Sequence, residues 1–240
     1  MDVSGAAHAL ARASASMTDH HDVSGGLAAL VRSCVVTMHV DSAGILVGAS
    51  GELEPVSSAS HGSAELDLLH AQVAEGPCVD AFRTDTAVEV VGRENLLARW
   101  PTYASTMIGS GFEAVLASPL RWQHRSIGAL GLFRRADVSF SAEDIVFAQA
   151  FADMATLLIL STEGPSTEAL AERLDSVLSD RIAIEQAKGV LAERHGLTMA
   201  AAYDRLVSGA VDHHAPLATW AVQVVRDALR SPDELDLPPA

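Results

Sequence analysis

Cysteine, lysine and long apolar runs are what this 240-residue chain has least of. Its two cysteines, Cys34 and Cys78, are too few and too far apart for a disulfide framework or a zinc cluster, so both are read as thiols. No apolar run approaches the ~18 residues needed to span a bilayer. The first 20 residues hold one arginine and several small polar residues where a secretory signal would have an apolar core. A cytoplasmic chain without a membrane partner is therefore expected. Basic residues are also short: 16 Lys and Arg against 31 Asp and Glu leave a net charge of −15. That balance argues against broad, non-specific attraction to nucleic acid or anionic membrane.

What is present is a globular composition. Apolar residues make up 49% of the chain and charged ones 20%, which excludes disorder as a description of the whole. The length allows one large domain, or a medium one with a small companion. Charge distribution favours two domains. From Leu170 to Arg230 there are seven basic and eight acidic residues, so this segment is nearly neutral while the remainder is strongly acidic. The sole lysine, Lys188, lies in that second segment.

Periodicity lays out the elements. A helix is expected over Val3 to Ala15 and another over Val23 to Met38, with Asp22 capping it and Leu27, Leu30, Val31 and Cys34 on its buried face. Ala43 to Val47 and Leu53 to Ser57 read as a hairpin, Leu66 to Val73 as a helix and Ala87 to Val91 as a strand. Trp100 to Ile108 is a further helix, and Ala114 to Trp122 with Ser126 to Phe133 form a second hairpin. At Phe140 the period changes. Ser141 with Asp144 three residues on resembles a capping box, and Ile145, Ala148, Ala152, Ala155 and Ile159 continue at helical spacing.

Gly164 and Pro165 break that helix, and a long one follows from Ser166 to Arg194. At 1.5 Å per residue it extends roughly 43 Å, too far for one small domain to cover, so a partner helix is expected. Leu170, Leu174 and Val177 have the spacing of a coiled-coil seam, with Ile184 and Leu191 in register, while Arg181 and Lys188 fill the seam positions between. The expectation is dimerisation through the first three and a functional face beyond Arg181. Two more helices, from Thr198 to Val211 and from Ala215 to Arg230, precede a Pro-rich acidic tail expected to be disordered.

Ile184, Gln186, Ala187, Lys188, Gly189, Val190 and Leu191, followed by Gly196, Ala202, Tyr203, Leu206, Ala210, Leu217 and Ala221, closely resemble the ANTAR domain. The resemblance runs from about Leu170 to Leu229. It implies a three-helix domain that binds paired RNA hairpins in leader transcripts, acts in transcription antitermination and works as a dimer. The region from about Asp19 to Thr162 resembles GAF domains by its order of elements and by Glu75, Gly76, Pro77, Cys78, Val79, Asp80 and Ala81. The resulting expectation is an α+β chain. Residues 1–18 form an N-terminal helix, 19–163 a GAF-like antiparallel sheet with flanking helices, 164–230 a long signalling helix with the all-α ANTAR domain, and 231–240 the tail.

Arg181, Gln186, Lys188, Gly189, Arg194 and Arg205 are the expected RNA-contacting residues, the first, third and fifth as a basic stripe for phosphates. Gly189 costs about 1 kcal/mol against alanine in mid-helix, which close approach of another backbone would offset. Tyr203 is read as core. The resemblance also shows a departure: Val207, Ala215 and Pro216 stand where ANTAR domains carry basic residues. A protein-interaction module that has lost RNA binding therefore remains an alternative.

No nucleophile, base and orienter constellation is recognisable, and no catalytic or metal-binding residues are assigned. His213 and His214 are adjacent, so on a helix they diverge by ~100° and cannot clamp zinc as an i, i+4 pair does; like His20 and His21 they are read as surface residues. Cys78 is the residue placed at a possible small-molecule pocket of the GAF region, although a Gly-Pro turn into a helix also explains its segment. A thiol-dependent methionine sulfoxide reductase is the enzyme alternative, weakened by the apolar setting of Cys34. The sequence carries no motif that identifies a cofactor.

Overall fold

The computed structural model describes residues 5, 11, 22–49, 52–59, 63–72, 75–123, 125–160 and 167–230. The expected N-terminal helix falls outside them except for Gly5 and Ala11, which are helical; the Gly164 and Pro165 break, His20, His21 and the acidic tail lie outside altogether.

Helix α1 (Val23–Met38) starts where Asp22 Oδ1 accepts the Gly25 amide at 2.9 Å, and it buries Leu27, Leu30, Val31 and Cys34 as their spacing demands. Strands β1 (Ser42–Ala49) and β2 (Glu52–Ser58) form the first expected hairpin, with Gly48 opposite Leu53. Helices α2 (Ser63–Ala71) and α3 (Pro77–Thr84) lead to β3 (Val88–Val91), and α4 (Arg93–Arg99) and α5 (Pro101–Gly109) lead to β4 (Ala114–Trp122). β4 pairs with β5 (Arg125–Arg134) as the second hairpin.

The sheet runs β2-β1-β5-β4-β3, antiparallel throughout. Alternating side chains separate its two faces. Ala43, Ile45 and Val47 join α1 and α6 (Ala142–Leu160) in one core, whereas Leu46, Val115 and Ala117 join α3 and α5 in the other. Cys34 belongs to the first core and Cys78 to the second, so the sheet lies between the two thiols. Both are fully buried, and burial pushes both thiols well above the ordinary cysteine range.

The capping box read at Ser141 is formed in full. Asp144 Oδ2 accepts the Ser141 amide at 2.9 Å and Ser141 Oγ accepts the Asp144 amide at 3.1 Å. Arg134 from the end of β5 adds an ion pair to Asp144 at 3.1 Å, which ties α6 to the sheet. Burial works to raise this carboxyl, but the Ser141 amide and Arg134 together outweigh it and hold the carboxyl below its ordinary value. Asp144→Ala removes the cap and leaves Arg134 facing a largely buried site, so unfolding free energy should fall by about 2 to 3 kcal/mol at neutral pH. A lowered carboxyl stabilises above its unfolded-state pKa and ceases to as pH falls through its folded one. Denaturant curves for parent and variant should therefore converge in acid.

The long helix α7 (Thr167–His195) is continuous over 29 residues, and α8 (Met199–Asp212) and α9 (Leu217–Arg230) fold back along it. Thr198 caps α8 as expected, its hydroxyl accepting the Ala201 amide at 3.2 Å. Leu170, Leu174 and Val177 are buried among residues of α1 and α6 in the first core. The seam is therefore covered here by the chain's own helices. No helix among the described residues is long and apolar enough to cross a membrane.

Candidate nucleic-acid interface

The face of α7 that carries the seam does not end at Arg181; it continues as the packing face of the C-terminal unit. Ile184, Ala187 and Leu191 meet Ala202, Tyr203 and Leu206 of α8 and Leu217, Ala221 and Val224 of α9. Lys188 shares that face, and its register places it inside. It is 0% exposed, with Nζ donating to both carboxylate oxygens of Glu185 at 2.9 and 2.8 Å and standing 5.9 Å from the Tyr203 ring. The apolar stem of lysine suits such a position when its ammonium is paired.

The expectation of an open basic stripe is thus corrected for this conformation. Arg181 is partly buried and donates to the Pro55 carbonyl on β2, with a second nitrogen 3.3 Å from His70 Nε2 of α2. Burial lowers its pKa, opposed by Glu185 and Glu54. Arg194 donates to the Ala228 carbonyl at 2.9 Å near the end of α9, where the helix dipole favours a cation. Arg205 is half-buried on α8. Gln186 and Gly189 do face solvent, one turn apart on the outer side of α7. A Cβ built on Gly189 would meet nothing within 4 Å, so no backbone within the described chain offsets its helix cost.

Tyr203 is 5% exposed, a core residue as read from its spacing. His213 and His214 are exposed, the former stacked on Trp220 at 4.0 Å between centroids. Among the described residues no cluster of three His, Cys, Asp or Glu could hold a metal ion.

Four further contacts join the C-terminal helices to the sheet domain, none of them visible in the sequence. Leu217, the first residue of α9, donates its amide to Asp22 Oδ2 at 3.0 Å, so one carboxylate caps a helix in each domain. Ser24 Oγ donates to Asp180 Oδ2 at 3.3 Å. Ala28 of α1 is buried within the C-terminal cluster, and Arg32 hydrogen-bonds Tyr203. Asp180 is raised from the ordinary carboxylate range first by burial and also by nearby Asp22, against Ser24 and Arg173. A raised carboxyl disfavours the packed state once pH rises through its folded value. Asp180→Asn keeps an acceptor for Ser24 without the buried charge, so its melting temperature should exceed the parent's at neutral pH and match it in acid.

The segment around Cys78 is built as a set of caps. Gly76 precedes α3 with φ +144°, a conformation glycine tolerates, and Pro77 opens the helix. Glu75 Oε1 accepts the amides of Thr102 and Tyr103 at 2.7 and 2.8 Å, Gln72 Oε1 accepts the Cys78 amide at 3.1 Å, and Asp80 pairs with Arg99 at 2.9 Å. The turn-into-helix reading accounts for Glu75 to Asp80. Sequence reading missed two buried neighbours, Gln72 and Tyr103, whose Nε2 and Oη have no hydrogen-bond partner among the described residues.

The GAF domain model matches residues 22–159 and the ANTAR domain model residues 172–225. The chain belongs to the GAF family and carries an ANTAR domain after the GAF domain, the architecture of a regulator with an antitermination module. Similar solved structures share the GAF fold at low identity. The GAF domain of a Coxiella burnetii phosphoenolpyruvate-protein phosphotransferase is 14% identical with a TM-score of 0.54, covering 67% of this chain and 95% of its own. Its Acinetobacter counterpart is 13% identical with a TM-score of 0.52, covering 66% and 96%. A free methionine-R-sulfoxide reductase from Neisseria meningitidis is 16% identical with a TM-score of 0.52, covering 65% and 89%. No curated protein sequence matches the chain significantly.

Proposed function

We propose that this chain is a non-catalytic, signal-responsive regulator whose ANTAR domain binds RNA hairpins in transcription antitermination and whose GAF domain controls access to it. The observation that carries the reading is the engagement of Arg181 by β2 and α2, together with the packing of Ala28 and Arg32 against the C-terminal cluster. A basic residue suited to phosphate is held by the domain suited to sensing. Release of α7 frees Arg181 on the helix that already exposes Gln186 and Gly189, and it uncovers Leu170, Leu174 and Val177 for a second copy. The active form is thus a homodimer joined through α7. Gln72, Cys78 and Tyr103, with two unsatisfied polar atoms among them, support a small-molecule site in the GAF interior.

An enzyme reading is disfavoured by the thiols, which lie on opposite faces of the sheet and are held protonated by burial. The interaction-module alternative draws on one observation, the inward position of Lys188. Fluorescence anisotropy with a tandem-hairpin RNA and a duplex DNA of similar length separates the two. Saturable hairpin binding without duplex binding is expected, and no binding to either supports the interaction module.

A further inference from the structure

Between α1 and the α8–α9 turn lies a cleft of about 370 Å³, within the size range of small-molecule sites and at a domain boundary where such sites concentrate. One wall is the first turn of α1, where Gly25 and Gly26 contribute no side chain beyond hydrogen. The other is mostly apolar, with Val207, Ala210 and Leu217, and has His214 at the α8–α9 turn. Asp22 stands in the lining, and it is the carboxylate that caps α1 and α9 at once. Each of its oxygens accepts one amide and retains a second lone pair. Asp180 lies close to Asp22 but is opposed by Arg173, so Asp22 is the carboxylate that the cleft itself presents to a ligand.

We infer that this cleft is an effector site for a small organic cation, a compact apolar body carrying an ammonium group that meets Asp22. The assignment rests on the proposed coupling between the GAF and ANTAR domains and specifies its regulation. Because the walls come from both domains, the complete site exists only while the two are docked. A ligand shifts an equilibrium only through differential affinity for its two states, so this one favours the docked form. At a concentration one hundred times its dissociation constant the shift is about one hundredfold. The effector is thereby a repressor of RNA binding, a sign fixed by where the site lies.

The test uses the full chain with benzylamine as probe and benzyl alcohol as its neutral counterpart, followed by backbone amide shifts. Benzylamine should produce saturable shifts at Gly25, Gly26, Ala210 and Leu217, with benzyl alcohol at least tenfold weaker. Ala29 is an exposed residue of the same lining that makes none of the docking hydrogen bonds, so Ala29→Trp should fill the cleft, leave the fold unchanged by circular dichroism and abolish both sets of shifts. The inference is overturned if benzylamine produces no saturable shifts at these amides, if the alcohol binds as tightly, or if Ala29→Trp binds as the parent does. RNA plays no part in this readout, so its failure is distinguishable from a failure of RNA binding. Where hairpin binding is measured as well, benzylamine should weaken it in the parent and not in Ala29→Trp.

Discussion

Ala28→Arg should separate the C-terminal helices from the GAF domain while leaving each folded. Ala28 is 5% exposed and sits among Ile184, Tyr203 and their neighbours, where the packing leaves no room for a long charged side chain. Overpacking and burying an unpaired guanidinium should together cost the docked state about 3 kcal/mol, more than a hundredfold in the equilibrium between docked and released forms. On its own helix the position faces outward once the ANTAR unit has left, so the GAF core is spared. Small-angle scattering should report a larger radius of gyration for the variant, with an unchanged far-ultraviolet spectrum. The interdomain contacts at Asp22, Ser24, Arg32 and Arg181 should be lost together, which hydrogen exchange at Leu217 would register as faster exchange.

The second large effect concerns the buried lysine. Removing Glu185 leaves the Lys188 ammonium without its bidentate partner, and breaking a buried pair from one side costs several kcal/mol. Because the Glu185 side chain is 34% exposed, water can reach part of the vacated space, and about 2 to 3 kcal/mol is the expected loss for Glu185→Ala. Lys188→Met removes the charge at similar volume and should change stability by less than about 1 kcal/mol. Denaturant unfolding of the two variants measures both. A large loss in Lys188→Met with none in Glu185→Ala would mean that the ammonium is held by something other than this pair.

Local signals were strong wherever the determining interaction is local. Asp22 before α1, Thr198 before α8 and the Ser141–Asp144 box each place an acceptor within three residues of the amide it binds, and all three caps are present. Both hairpins were legible because alternation and turn residues lie within a few positions of each other. Helix α4 has no signature in the sequence: its seven residues bury little except Leu96, so it leaves no periodic apolar trace. The seam was legible as a pattern, but what covers it was not. A 4-then-3 spacing specifies an apolar partner without saying whether that partner is a second chain or α1 and α6 of the same one.

The candidate RNA face shows the same limit. The register that puts Lys188 in line with Ile184 and Leu191 was visible, and it is the reason the residue points inward. Reading its charge as a sign of exposure neglected Glu185 three residues earlier, which lies one turn away and satisfies it. Arg181 could be placed on α7 from sequence, but its partners Pro55 and His70 are more than a hundred residues distant. Asp22 holding Leu217 across 195 positions leaves no local trace of any kind.

Docking and RNA binding are expected to exclude each other. The most direct measurement of this exclusion is the anisotropy of a labelled tandem-hairpin RNA, titrated at several salt concentrations with the parent and with Ala28→Arg. The released variant should bind at least tenfold more tightly. Because release adds Arg181 to the groups free to meet phosphate, its log affinity should fall against log salt more steeply than the parent's, the slope being larger in magnitude by roughly 1. Equal affinities and equal slopes for the two proteins, or a parent that binds more tightly than the released variant, would contradict it.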